Sequence, residues 1–247
     1  MVNTKSMSDD FRQDLYKSYV SKFTETDSED IDPKSDWRWY EYRYWPNLKQ
    51  LNPEASILEL GCGRGTFVEF LNSKGFSHVT GIDISEEQIS LAKKRNLNTR
   101  VANVFEFLAS PGDQPFDVIL ALDFLEHFTK DEVIKLLGLV YEALNKNGMF
   151  VAQTPNGQGL FPGQVMYDDF THLTIFTPKS LEQILKTVGF DDIRFEETGP
   201  VPIGITGKSR KALWELTKFF ANSLRRIEAN KTQSIWSENL VCYCVKP

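Results

Sequence analysis

From residue 56 onward, short apolar runs alternate with stretches whose apolar positions recur at helical spacing. Ser56–Leu60 reads as a strand and 66–72 as a helix; 78–84 and 86–95 repeat the pair, and 99–102 and 105–109 repeat it in shorter form. Phe116–Leu122 is apolar on nearly every position, as a central parallel strand covered on both faces should be. A helix over 130–145 follows, with Val133, Ile134, Leu137, Val140, Tyr141 and Leu144 on one face and Asn147-Gly148 as its stop. Then come a strand at 149–154 and a helix opened by Thr177-Pro178, closing at Val188 before Gly189. Two more strands lie at 193–197 and 240–245. This alternation predicts a doubly wound α/β domain with helices on both faces of a mostly parallel sheet. The segments 155–176 and 199–239 are too long for plain connections and are expected to cover a site.

Ahead of this region, residues 1–35 are polar, and then aromatics crowd into 37–46 together with Arg38 and Arg43. Two compatible readings follow: a helix packing its rings on the main domain, and a lid over a ligand. The chain thus divides into a helical cap or lid at 1–50 and the main domain at 51–247, which carries the two covering insertions.

Composition narrows the function. With 247 residues and 41% hydrophobic content, the chain can bury one sizeable core. Its net charge of −6 counts against a nucleic acid partner, which usually draws a basic surplus. No apolar run suits a signal peptide or approaches the roughly 20 residues of a membrane span. The three cysteines call for no oxidising compartment; Cys242 and Cys244, two apart in a strand, are poorly placed for a mutual disulfide. The expected location is the cytoplasm.

The sharpest motif is Ile57-Leu58-Glu59-Leu60-Gly61-Cys62-Gly63-Arg64-Gly65, an apolar strand entering a glycine turn. Glycines let the backbone turn tightly and let a ligand lie against it, at the strand end where open α/β sheets bind ligands. Asp83, ending the next strand in Gly81-Ile82-Asp83-Ile84, stands about 20 residues on, where a carboxylate grips a ribose diol. A dinucleotide fingerprint needs glycine where Thr66 stands. Glu59 would also repel a pyrophosphate, whereas it suits a ligand with a free ammonium group.

These residues, followed by Phe116-Asp117-Val118-Ile119 through Leu125-Glu126-His127, resemble the class I S-adenosylmethionine-dependent methyltransferases over about 56–190. The resemblance implies a seven-stranded Rossmann-like sheet whose last strand inserts antiparallel. It implies S-adenosylmethionine as cofactor, with Glu59 and the Gly61 and Gly63 backbone facing the methionine moiety. Asp83, with Ile84 beside it, would face the ribose, Asn103 and Val104 the adenine, and Leu122 and Asp123 the sulfonium. Arg43 would pair with the methionine carboxylate.

On the acceptor side, an oxygen of high pKa needs a base within hydrogen-bond reach. Of three histidines, His78 precedes a strand at the far edge, while His127 and His172 follow strands at the ligand-binding edge. His172, His127 and Asp168 are the candidate catalytic residues, each with a plain structural role as the alternative. Glu126, His127 and Asp168 lack compact metal-ligand spacing, so no metal is expected. The runs at 153–157, 169–172 and 176–181 resemble bacterial methyltransferases of surface-polysaccharide and other small-molecule pathways. The implied activity is O-methylation of a sugar or phosphorylated metabolite; the rivals are N-methylation of a small (phospho)amine, a non-catalytic cofactor-binding subunit and a nicotinamide oxidoreductase. Finally, 208–230 carries an apolar stripe of Leu213, Leu216, Phe220, Leu224 and Ile227 flanked by basic residues. It is expected to pack on protein as a lid or homodimer helix, or else to lie on a membrane surface.

Overall fold

The computed structural model describes residues 34, 36–110 and 115–247; the rest of the expected N-terminal cap, 1–33 and 35, lies outside the described residues. Seven strands form one sheet in the order β3-β2-β1-β4-β5-β7-β6. They are β1 (Ser56–Leu60), β2 (His78–Asp83), β3 (Thr99–Val101), β4 (Phe116–Leu122), β5 (Leu144–Pro155), β6 (Asp191–Glu197) and β7 (Asn239–Val245). All neighbouring pairs through β5 are parallel, and β7 runs antiparallel to both β5 and β6, as the resemblance implies.

The period-two alternation of the strands sorts the core into two layers. Ile57, Val118, Leu120, Val151 and Tyr243 face one side, covered by α3 (Thr66–Ser73) and α4 (Glu86–Lys94). Leu58, Ile119, Ala121, Phe150 and Cys242 face the other, covered by α5 (Val104–Ala109), α6 (Lys130–Ala143) and α8 (Pro178–Val188). Two short helices, α1 (Trp37–Arg43) and α2 (Trp45–Leu48), add an aromatic edge to the first layer. Tyr40 and Tyr44 meet Phe67 edge-on, with ring centroids 4.7 and 5.2 Å apart, and Trp37 meets Phe70 at 5.9 Å. Trp37, Tyr40, Tyr44 and Trp45 therefore pack on the main domain, while Trp39 and Tyr42 stay exposed.

Two elements differ from expectation. The helix expected over 130–145 ends at Ala143, because Leu144 is already paired with Phe116 in the sheet. Asn145 donates to Asp117 Oδ1 (2.8 Å), and Asn147, at φ +62°, turns the chain within β5 rather than capping the helix. The second difference is α9 (Gly204–Ala229): Leu213, Leu216, Phe220, Leu224 and Ile227 are 52–82% exposed, so the stripe does not pack on this chain. Instead Trp214 and Lys218 tie the helix to the sheet through the Glu197 carboxylate, at 3.3 and 2.8 Å. A further short helix, α7 (Pro162–Tyr167), lies in the 155–176 segment, whose ends are pinned by Gly157 N–H donating to Phe176 O (2.7 Å) and Asn156 N–H to Glu238 O (2.7 Å).

Candidate active site

The strand order reverses between β1 and β4, and this switch point is where an open α/β sheet leaves a crevice. Beyond β1, Gly61, Gly63 and Gly65 take φ values of +67°, +51° and +77°. Glycine is required at 61 twice over, since a Cβ there would stand 2.3 Å from the Phe124 ring. Cys62 of the same turn packs against Gly81, where a Cβ would meet its Sγ at 2.7 Å. Asp83 holds the turn in place: its carboxylate accepts from the Gly63 amide (2.9 Å) and the Ser85 amide (2.8 Å). Burial raises its pKa, against which the Ser85, Gly63 and Ile84 amides work.

The crevice encloses about 570 Å³, and Arg43, Glu59, Gly61, Gly63, Leu122 and Asp123 line it. The structure thus brings together six of the ten residues expected at a cofactor. Asp83, Ile84, Asn103 and Val104 stand beside this cavity at the ends of β2 and β3 rather than on its wall. Asn103 Oδ1 caps α5 by accepting from the Phe105 amide (2.9 Å), and Val104 is buried in the core. Glu59 forms the floor. It is 5% exposed, Oε2 has no hydrogen-bond partner, and burial followed by the nearby Asp83 charge raises its pKa well above the carboxylate range. At the rim, the Arg43 guanidinium lies 4.6 Å over the Trp39 ring with Nε buried and unpartnered.

Tyr40, Tyr44 and Gln153, which are not among the residues expected at a cofactor, line the same wall. Tyr44 OH donates to Gln153 Oε1 (2.6 Å), and Gln153 Nε2 donates to Asp123 Oδ2 (2.7 Å). This buried chain fixes Asp123, whose backbone sits at φ +50°. The i,i+4 spacing of Tyr40 and Tyr44 was a readable sign of a shared face. Gln153 gave none, because it is one polar position at the end of an apolar strand.

On the far side of Asp123, a 3₁₀ turn, Leu125–His127, meets the segment after β5. The Glu126 carbonyl accepts from the Leu173 and Thr174 amides at 2.8 and 3.0 Å, a clamp that brings His172 beside His127 with ring centroids 5.0 Å apart. Burial, then the neighbouring His172, lowers the His127 pKa to about 4. Burial, then the Asp123 charge, pushes Glu126 up to about 8. Asp168 is exposed and takes no part. Asp169 joins instead, accepting the Thr171 hydroxyl at 2.6 Å, and Thr171 Oγ1 lies 2.8 Å from His127 Nδ1. His78 lies on the surface at the opposite edge, 3.0 Å from Glu54.

Residues 37–194 match the family model described as methyltransferase domain. The chain belongs to the methyltransferase-domain family. It is 27% identical over 158 residues to a sarcosine/dimethylglycine N-methyltransferase of Halorhodospira halochloris, covering 60% of this chain and 56% of that protein. It is 34% identical over 80 residues to a ubiquinone biosynthesis O-methyltransferase of Hahella chejuensis, covering 30% and 33%. The chain thus spans about half and a third of the lengths of these curated relatives. In structure it is similar to a SAM-dependent methyltransferase from Archaeoglobus fulgidus, with a TM-score of 0.66 at 23% identity over 96% of this chain and all of that one. The cavity of this methyltransferase domain fits S-adenosylmethionine chemically. A buried acid without a full set of partners suits an ammonium group, and a stacked arginine with a free Nε suits a carboxylate.

Proposed function

We propose that the chain is a cytoplasmic S-adenosylmethionine-dependent methyltransferase acting on a hydroxyl of a small polar acceptor, a sugar or phosphorylated metabolite of polysaccharide biosynthesis. The single observation that carries the reading is the position of Asp123. It lines the crevice on one side, and on the other it is close enough to His172 and Glu126 for their charges to interact. A donor site and a proton-handling site therefore share one residue.

When bound, the cofactor supplies a methyl group made electrophilic by a sulfonium centre. The rest falls to the residues of the chain. In this reading Glu59 binds the ammonium group, Arg43 the carboxylate and the Gly61 and Gly63 backbone the chain between them. Asp83 and Ile84 face the ribose and Asn103 and Val104 the adenine, while Leu122 and Asp123 flank the reacting centre. Each Asp83 oxygen, though already bonded to one amide, keeps a second lone pair for a ribose hydroxyl. Alignment of acceptor and methyl group provides much of the rate. The acceptor proton is handled by the cluster of Glu126, His127 and His172, with Asp169 in the place expected for Asp168.

The free thiols of Cys62, Cys242 and Cys244 agree with a reducing compartment. Among the described residues, no helix is long and apolar enough to cross a membrane. The second reading is N-methylation of a small amine, favoured by the likeness to the sarcosine/dimethylglycine enzyme.

Release of S-adenosylhomocysteine is to be measured against nucleotide sugars, sugar phosphates, phosphoamines and catechols. Turnover with a sugar hydroxyl is expected. Turnover with phosphoamines alone replaces the first reading by the second, and cofactor binding without turnover on any acceptor, lipid-linked sugars included, leaves a binding subunit.

A further inference from the structure

Glu126 is 1% exposed, and neither carboxylate oxygen makes a hydrogen bond of normal geometry, although the Thr154 hydroxyl stands nearby. A buried carboxylate left in this way is costly unless something positive meets it. What faces it is a pair of imidazoles: one ligand atom each from Glu126, His127 and His172 lie within 4.8 Å of one another. Ligand atoms around one ion, at bonds of about 2.0–2.2 Å, stand roughly 3–4 Å apart, so a small inward movement would close the set.

The outer partners also suit a metal centre. His172 Nδ1 lies 3.0 Å from the Val165 carbonyl, which can only accept. Nδ1 therefore carries the proton and Nε2 the lone pair. His127 Nδ1 faces Thr171 Oγ1 at 2.8 Å, and that hydroxyl gives its own proton to Asp169, so it can receive one from the ring. The Thr171 and Asp123 backbone carbonyls also hydrogen-bond this ring, and a bound ion would take the place of one such contact. Backbone carbonyls and carboxylate relays of this kind orient metal-bound histidines.

We propose that Glu126, His127 and His172 bind one divalent first-row transition cation, of the manganese or zinc class, with open coordination positions for oxygen donors of the acceptor. Two imidazoles and a carboxylate suit that class better than magnesium or calcium, which prefer all-oxygen shells. The ion would supply the positive charge that Glu126 lacks. The proposal deepens the acceptor side of the methyl-transfer reading and rests on it: with an ion bound, the three side chains would serve as ligands in place of bases. The acceptor hydroxyl would lose its proton to solvent water, and its oxygen would take the methyl group as the sulfonium C–S bond breaks and S-adenosylhomocysteine leaves. In the sequence, His172 lies 45 residues beyond His127, so local spacing could not reveal the set, and the expectation of no metal was drawn from spacing alone.

The test uses the full chain, stripped with a chelator, dialysed and titrated with manganese chloride. Binding is followed by loss of the free-ion electron paramagnetic resonance signal, and S-adenosylmethionine binding is measured by calorimetry on the same samples. One ion per chain is expected, with affinity lowered roughly 100-fold in His172→Ala and Glu126→Gln and about 10–100-fold in Thr171→Val, where only an outer partner is lost. Cofactor binding should persist in all three, which shows that they fold. Absence of ion uptake by the unaltered chain with either manganese or zinc, or uptake of equal strength in His172→Ala and Glu126→Gln, overturns the metal site. Methyl transfer to a hydroxyl would then still stand on its own assay, while failure to bind S-adenosylmethionine would remove that reading and leave ion uptake as a separate result.

Discussion

At the scale of single residues, Glu59 is where function and stability pull apart. Its pKa is raised by burial and by Asp83, so the folded chain holds its proton at pH values where the unfolded chain, with an ordinary carboxylate near 4.3, has released it. Between those two values the folded state binds more protons. Stability therefore falls as pH rises through that window. The Val68 amide, at the start of α3, donates to the same carboxylate and offsets part of the cost. Glu59→Gln keeps an acceptor for Val68 and removes the charge. In the absence of cofactor it is expected to be more stable at neutral pH by about 0.5–2 kcal/mol, with a flatter dependence of stability on pH from about 4 upward. It should also lose S-adenosylmethionine binding. Denaturation at several pH values and calorimetry check the two halves; a variant that is less stable yet binds normally would remove Glu59 from the cofactor site.

At the scale of elements, sequence pattern and structure agree where one rule acts alone. β1 and β4 were legible to the residue because an apolar run between turn signals has few alternatives, and α8 because Thr177 and Gly189 cap it. The end of α6 was not, because Leu144 satisfies the helical period while its backbone is claimed by Phe116 across the sheet. The candidate site divides in the same way. Glu59, the glycine turn and Asp83 belong to one local motif and could be read together. The Tyr44–Gln153–Asp123 chain and the pairing of His127 with His172 join segments 109 and 45 positions apart at their widest, and only the fold supplies them. That chain can be tested. Tyr44→Phe removes the hydroxyl that donates to Gln153 and leaves a buried acceptor unpaired, which costs about 1–3 kcal/mol. Asp123, no longer fixed through Gln153, should then hold the cofactor less tightly. Denaturant midpoints and calorimetric affinity should fall together; a loss of stability with unchanged affinity would confine Tyr44 to packing α1 and α2 on the sheet.

For the whole molecule, the open question is what α9 faces. The helix carries six basic and two acidic residues on a chain whose net charge is −6, and its apolar stripe points away from the sheet. A two-fold contact between copies would set this basic helix against itself, so charge opposes the dimer that the apolar stripe alone would favour. An anionic membrane surface meets both properties: apolar side chains enter the headgroup boundary while the exposed Lys208, Arg210 and Arg226 of the same helix are drawn to lipid charge. The expected outcome is that α9 rests on such a surface. Flotation with vesicles containing phosphatidylglycerol should recover the chain, neutral vesicles should not, and binding should weaken as salt is raised. Leu224→Glu with Ile227→Glu alters only exposed positions, so the fold and cofactor affinity should be kept while vesicle binding is lost. If the pair instead converts a dimer to a monomer in light scattering, with vesicles ignored throughout, the stripe belongs between two copies of the chain.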